Sequence, residues 1–392
     1  MPYDSIVLGL PDYQIKRVKR VCGEVVVWAR YTGPTCCPHC GGSVLRKKAL
    51  FERQVRHESW GMRTCRLCLE ARKFHCRSCG RYFNQRFPGI LPRRRSTEPF
   101  RRQIFWMHHD GISRKTLAER QRLGTATIER WFLDFLRLEA AKLSAEECPR
   151  VLGIDEHFFT RKKGFATTLC DLRHHKVFDV VLGRSEASLE GYFRQLKGKE
   201  KVRVVCIDLA SNYRRLIRRH FPNARIVADR FHVIRLVNHY FLATWRELDP
   251  VGSKHRGLLS LMRRHPWKLS GQQQERLHAY FSEHQPIGAI YEFKQRLTAL
   301  LLNKTCTARE CRKLIPELLD YIHQLKTCGF EGLEQLGRTL SSWSTEIAAM
   351  WRFTKNNGIT EGFHNKMEMM SRRAFGFRNF ENYRQRVRVM CA

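Results

Sequence analysis

Between residues 150 and 240, short apolar runs rich in valine and isoleucine alternate with segments whose apolar positions recur at helical spacing, a pattern few folds can satisfy. Arg150–Ile154, Gly164–Asp171 and Val177–Gly183 read as three successive strands. A helix follows near Ser188–Leu196, then a strand at Val202–Ile207, a helix at Tyr213–His220, a strand at Arg225–Ala228 and a helix after Phe231. Three strands followed by alternating helices and strands require a layered α/β architecture.

Two of these runs end on an acid: Asp155 in Val-Leu-Gly-Ile-Asp and Asp208 in Val-Val-Cys-Ile-Asp. Glu361 follows far downstream in Thr-Glu-Gly-Phe-His-Asn-Lys. Together with the strand pattern this is the outline of a ribonuclease H-like catalytic domain with a two-metal nuclease site, in which distant carboxylates converge on divalent cations. Like charges in that arrangement repel unless a cation stands between them, and Mg2+ (or Mn2+) suits an all-oxygen donor set. Asp229 and His232 follow the strand Arg225–Ala228 at the same sheet edge. They read either as an auxiliary metal or DNA contact or as a helix cap with a hydrogen-bonded histidine. Glu156 points to the opposite face if its strand continues, and is left out of the site.

Residues 241–350 lack strand alternation and carry helical spacing, as in Leu258, Leu259, Leu261 and Met262, and in Leu314, Leu318, Tyr321, Ile322 and Leu325. The catalytic core is therefore expected over 146–240, interrupted by an all-α insertion over 241–350 and resumed over 351–392 by a Glu-bearing helix and a basic tail.

The 72 Lys and Arg against 37 Asp and Glu give a net charge of +35, which implies a polyanionic partner, with nucleic acid the default. The sequence shows no apolar leader and no membrane-length apolar run, so a reducing cytoplasm and association with the nucleoid are expected. There, clustered cysteines serve as metal ligands.

Cys37-Pro-His-Cys40-Gly and Cys76-Arg-Ser-Cys79-Gly are two knuckles, each followed by a glycine that permits a positive-φ turn. Four thiolates suit tetrahedral Zn2+; a redox dithiol pair is the other chemistry of that spacing. Cys65 and Cys68 lie in a strand-like run, Met62–His75, where alternation turns them to opposite faces, and they read with Cys36 as bystanders. A zinc-binding module is thus placed at 1–90. Residues 86–99, with three prolines and Arg93, Arg94 and Arg95, read as an exposed linker. Within 91–145, Arg101–His109, Ser113–Arg122 and Thr125–Leu136 form three helices, with Ser113 and Thr125 as N-caps and Leu117, Ala118, Ile128 and Phe132 as the apolar seam. This spacing suits a helix-turn-helix domain whose last helix enters the major groove, although an ordinary helical hairpin would share it.

These motifs resemble those of bacterial insertion-sequence transposases of the DDE class, in the ISL-three group. The resemblance is carried by the two knuckles, the helix-turn-helix, Gly-Ile-Asp155-Glu-His, Ile-Asp208-Leu-Ala-Ser-Asn-Tyr, Ala-Asp229-Arg-Phe-His232-Val-Ile-Arg-Leu-Val and Thr-Glu361-Gly-Phe-His-Asn-Lys. It extends into Arg-Arg-Ala-Phe-Gly-Phe-Arg-Asn-Phe-Glu-Asn-Tyr. It implies that Asp155, Asp208 and Glu361 are the metal-binding catalytic triad, and that the protein binds and cleaves transposon ends and transfers them to target DNA. Arg93, Arg94 and Arg95, Thr125, Thr127 and Arg130, and Arg372, Arg373 and Arg378 are the expected DNA contacts. Pairing two ends implies at least a dimer on DNA. A DNA-binding regulator without catalysis is the alternative.

Overall fold

The computed structural model describes residues 3–143, 147–353 and 358–392, and the expected boundary at 145 lies outside them. The chain divides into two units, Met1–Lys142 and Leu143–Ala392.

The first unit opens with α1 (Tyr3–Leu8), followed by β1 (Tyr13–Val21), β2 (Glu24–Tyr31), the long hairpin of β3 (Leu45–Trp60) and β4 (Arg63–Cys76), and β5 (Tyr82–Asn84). The sheet order is β1-β2-β4-β3, with β5 also on β4. Leu8, Leu10, Tyr13, Val27, Val55, Leu67 and Leu69 form its core. Three helices follow: α2 (Glu98–His109), α3 (Arg114–Gln121) and α4 (Thr125–Leu143). Phe100, Ile104, Leu117, Ile128 and Trp131 pack between them.

The expected linker is not free. Phe87 and Ile90 are buried in the sheet's core, Ser96 bridges to Arg56, and Thr97 is fully buried as the N-cap of α2. His57 on β3 bonds Thr97 Oγ1 at 2.9 Å, and Arg56 reaches the Gln121 carbonyl at 3.0 Å. Periodicity could not reveal this strap, because its contacts run to residues some 40 positions away. Ser113 caps α3 as expected. Thr125, however, is already inside α4: the Gly124 carbonyl receives the N–H groups of Thr127 and Ile128, so Gly124 holds the cap position.

The second unit is built on β6 (Val151–Thr160), β7 (Gly164–Asp171), β8 (Lys176–Leu182), α5 (Glu186–Gln195), β9 (Val204–Ile207), α6 (Ser211–His220), β10 (Arg225–Ala228) and α7 (Arg230–Leu248). The sheet order is β10-β9-β6-β7-β8; β6, β9 and β10 run parallel, and β7 and β8 are antiparallel. Next come α8 (Arg256–Arg263), α9 (Gly271–Glu283), α10 (Gln285–Leu301), α11 (Ala308–Lys326), α12 (Glu331–Ser342) and α13 (Ser344–Arg352), then α14 (Gly358–Arg373) and α15 (Phe380–Met390).

Strand alternation splits the sheet's side chains between two cores. Leu152, Ile154 and Ile207 join α5, α6, α7 and much of the helical block. Phe159, Ala166, Cys170 and Cys206 join Phe363 and Met367 of α14 and Tyr383 and Val387 of α15. The helical segment is continuous with the first of these cores, and its Glu346 accepts from Arg214 and Arg218 of α6. Arg230, at the start of α7, donates to the carbonyls of Leu301, Asn303 and Met350. Only α7 (its end), α8, α9 and the start of α10 close a core of their own, around Trp245, Leu261 and Ile287.

Candidate active site and DNA-binding surfaces

The parallel pairing of β6, β9 and β10 stops in register: Ile154 lies opposite Ile207, and Ile207 opposite Ala228. The next residue on each strand is an aspartate, so Asp155, Asp208 and Asp229 form one row across three neighbours about 4.8 Å apart. Asp155 is not at the end of its strand, as expected from the sequence. The strand β6 continues to Thr160 because β7 keeps pairing with it, and Asp155 marks the point where β9 leaves. Asp155 shares a face with His157 and Phe159, the face covered by α14, whereas Glu156 points away and meets Arg184 at 3.0 Å.

Burial, with the neighbouring charges of Asp208 and Asp229 adding to it, pushes the Asp155 carboxyl up to about 6. Asp208 is also raised, first by burial, and its Oδ1 is buried without a hydrogen-bond partner. Asp229 is 1 % exposed; it caps α7 through the Phe231 N–H and holds His232 Nδ1 at 2.7 Å. That bond, together with the nearby acids, raises His232. The capping reading of Asp229 is therefore structural fact, and its carboxylate is spoken for on both oxygens.

Glu361 is exposed in the first turn of α14, and among the described residues no hydrogen bond or ion pair joins it to the aspartates. One helical turn later, His364 donates or accepts at Thr168 Oγ1 (3.1 Å), and Thr168 is the cross-strand partner of Asp155. His157 meets the same hydroxyl at 2.9 Å and the Tyr383 hydroxyl at 2.8 Å. Burial lowers His157 to about 3 and His364 to about 4, so both are neutral. This buried set ties β6, β7, α14 and α15 together beneath the acids. Sequence reasoning missed it, although both histidines stand inside the acid motifs, two and three residues after Asp155 and Glu361.

The folded-state value of Asp155 lies above its unfolded value of 3.8, so the folded protein holds that proton more tightly. The associated stability is complete below pH 3.8 and is lost as pH rises through about 6. Without divalent cations, thermal unfolding of the second unit should therefore show a loss of roughly 2 kcal/mol across that window. Mg2+ should raise the midpoint more at pH 7.5 than at pH 5. Asp155→Asn should flatten the profile; an unchanged slope in that variant would contradict the electrostatic account.

In the first unit, the Sγ atoms of Cys37, Cys40, Cys76 and Cys79 lie within 4.8 Å of one another, with Cys37–Cys79 at 3.7 Å and Cys40–Cys76 at 3.6 Å. Tetrahedral zinc with bonds of about 2.3 Å holds its sulfurs about 3.8 Å apart, so the donor set fits. Gly41 and Gly80 take φ of 75° and 69°, and their N–H groups close the turns onto the Cys37 and Cys76 carbonyls. Backbone N–H groups of Cys79 and Ser78 lower Cys76 to about 6, whereas the Cys76 and Cys79 thiols push Cys40 up to about 12. Cys65 and Cys68 are buried within β4 and are not part of the cluster. Among the described residues, this is the one set of three or more ligating side chains that converges so closely; the acids lie farther apart.

Arg93, Arg94 and Arg95 are exposed at the rim of a cleft of about 560 Å3, shared with Arg53, Gln54 and Arg86. Thr125 and Arg130 are exposed at the start of α4, and Thr127 is half-buried with its hydroxyl 3.5 Å from Arg130. In the tail, Arg372, Arg373 and Arg378 are exposed. Arg384 turns inward and grips Asp179 with two bonds of 2.7 and 2.6 Å. No described helix is long and apolar enough to cross a membrane.

A four-thiol ribbon and a trihelical unit in the first unit, an acid-edged α/β sheet in the second and a net charge of +35 define a multidomain nucleic-acid-binding protein. A family model described as a transposase, of the DDE class and ISL3 group, matches residues 152–387. The helix-turn-helix domain of transposase family ISL3 matches residues 85–136, and the zinc finger of the IS204/IS1001/IS1096/IS1165 transposases matches residues 33–79. The chain belongs to this family of DNA-binding transposases. It is 24 % identical over 397 residues to the transposase for insertion sequence element IS1001 of Bordetella parapertussis, with 97 % of this chain and 96 % of that protein covered.

Proposed function

We propose that the protein cleaves the ends of an insertion sequence and joins them to target DNA, using Asp155, Asp208 and Glu361 in a ribonuclease H-like domain. The observation that carries this is the aspartate row at the level where the parallel pairing of three strands stops, where burial and neighbouring carboxylates raise Asp155 and Asp208. The strand order, an antiparallel β6-β7-β8 meander extended by β9 and β10 parallel to β6, supports the fold assignment.

The donor chemistry fits Mg2+ or Mn2+: the groups are hard oxygens, and Asp208 Oδ1 is buried with no partner to give up. Such ions supply Lewis-acid activation of the attacking oxygen and stabilise the departing one. Asp155 and Asp208 would hold them from the sheet, and Glu361 from α14. Asp229, the third member of the row, and His232 serve as supports, fixing the start of α7. In end cleavage a water oxygen bonds to phosphorus as the 3′-oxygen leaves; in strand transfer the freed 3′-hydroxyl attacks a target phosphodiester and displaces its 3′-oxygen. The ribbon and α4 recognise the ends, Arg93, Arg94 and Arg95 hold phosphates, and two copies pair two ends at the chromosome.

Cleavage of a labelled duplex spanning one end of the element is the test, with Mg2+ or EDTA, for wild type and Glu361→Gln. Metal-dependent cutting at the boundary, lost in the variant, is the expected result. End-specific binding with no cut in Mg2+ or Mn2+ would instead make the protein a DNA-binding regulator.

A further inference from the structure

The tail aromatics separate into two groups. Phe377, Phe380 and Tyr383 pack together and against Phe159, with ring centroids 4.7–6.1 Å apart. Phe375 is 99 % exposed. It stands in the turn that ends α14, where the Gly376 N–H bonds to the Ser371 carbonyl (2.8 Å) and the Phe375 N–H to the Arg372 carbonyl (3.1 Å). Those two bonds make a Schellman turn, and they put Phe375 at the position that glycine ordinarily takes because its backbone is left-handed. Its φ is 53°. A bulky side chain is unfavourable in that conformation, and a fully solvated phenyl ring is unfavourable again. Neither cost is offset by any packing of the ring in the free protein.

We propose that Phe375 is a wedge that enters a base step of duplex DNA lying across the acidic site. The turn is bordered by Arg372, Arg373 and Arg378, all exposed, which supply charge for the flanking phosphates. An apolar ring thrust between bases unstacks and kinks a duplex, and the left-handed turn holds the ring away from its own helix to do so. The helix α14 also sets the reach. Phe375 lies fourteen positions after Glu361, about 20 Å at 1.5 Å per residue. At 3.4 Å per base the wedge therefore acts within about six steps of the phosphate at the acids. The location, though not the wedge itself, rests on the reading of Asp155, Asp208 and Glu361 as the cleavage site.

The test is a scan of 2-aminopurine through a duplex spanning the element's end and its flank, bound by the full-length protein in EDTA so that nothing is cut. Wild type should give a fluorescence rise at one step within about six of the boundary. Phe375→Gly should abolish that rise while melting at or above the wild-type temperature, because glycine relieves the turn; Phe375→Trp should restore it. In Mg2+, cleavage by Phe375→Gly should fall about tenfold, within the range seen when a base-stacking aromatic is removed. An abasic site at the responsive step should recover most of that loss, since no stacking then has to be broken. The proposal is overturned if Phe375→Gly brightens like wild type, or if no step brightens at all. It is equally overturned if the substitution changes the oligomeric state without DNA, which would place the ring in a protein interface. A Phe375-dependent signal from a protein that never cuts in Mg2+ would sink the catalytic reading and leave the wedge standing.

Discussion

Asp208→Asn is expected to lower metal-dependent cleavage of an element end by about a thousandfold or more, while binding to that end stays within about twofold of wild type. A metal clamp on a phosphoryl group is worth several kcal/mol of transition-state stabilisation, and each 1.36 kcal/mol is a factor of ten. Asn keeps the shape of the side chain but removes the anionic oxygen that is buried here without a partner. The same exchange should stabilise the metal-free protein at neutral pH, because burial and the charges of Glu156 and Asp229 disfavour the Asp208 carboxylate. Gel shift, cleavage and thermal melting on one preparation separate these effects. Cleavage by Asp208→Asn at the wild-type rate would remove Asp208 from the site, whatever became of the melt.

Removing zinc should act on the other unit and on the opposite function. Structural zinc contributes on the order of 10 kcal/mol or more, comparable with the whole stability of a small domain, so the ribbon should not survive chelation or Cys76→Ser. The helical unit has its own core of Phe100, Ile104, Leu117, Ile128 and Trp131 and should persist. It should fray at the start of α2, where the capping residue Thr97 is held by His57 of the ribbon, at a cost of about 1 kcal/mol. Strand circular dichroism should fall, helical signal should largely remain, and affinity for the element's end should drop at least tenfold. Unchanged end binding by the zinc-free protein would mean that the helix-turn-helix reads the end alone.

Much of the site could be read along the chain because its chemistry is written in local patterns. The two knuckles are short loops whose spacing and glycines determine their geometry, and their sulfurs meet as expected. The strands of the second unit announce themselves by β-branched runs, and most observed bounds fall within two or three residues of those expected. The acids stood out because a charged residue at the end of an apolar run is conspicuous. The strap from Phe87 to Thr97 is legible only in part: Pro88, Pro92 and its arginines are exposed as expected, whereas the burial of Phe87, Ile90, Ser96 and Thr97 depends on a sheet made by residues elsewhere. The pair His157 and His364 gave no usable signal, since a histidine near an acid is as often a ligand as a support.

The sequence by itself determined the elements and the four-thiol ribbon and singled out the candidate acids, because helix periodicity, strand alternation and knuckle spacing are properties of neighbouring residues. Only the tertiary structure decided that Asp229 stands level with Asp155 and Asp208, since that depends on the parallel pairing of three strands stopping in register. It also decided which face Asp155 presents, that the helical block from α10 to α13 shares the sheet's core, and that Phe375 alone among the four tail aromatics projects into solvent. Register, shared burial and exposure are relations between segments distant in sequence, and they exist only once the chain has packed.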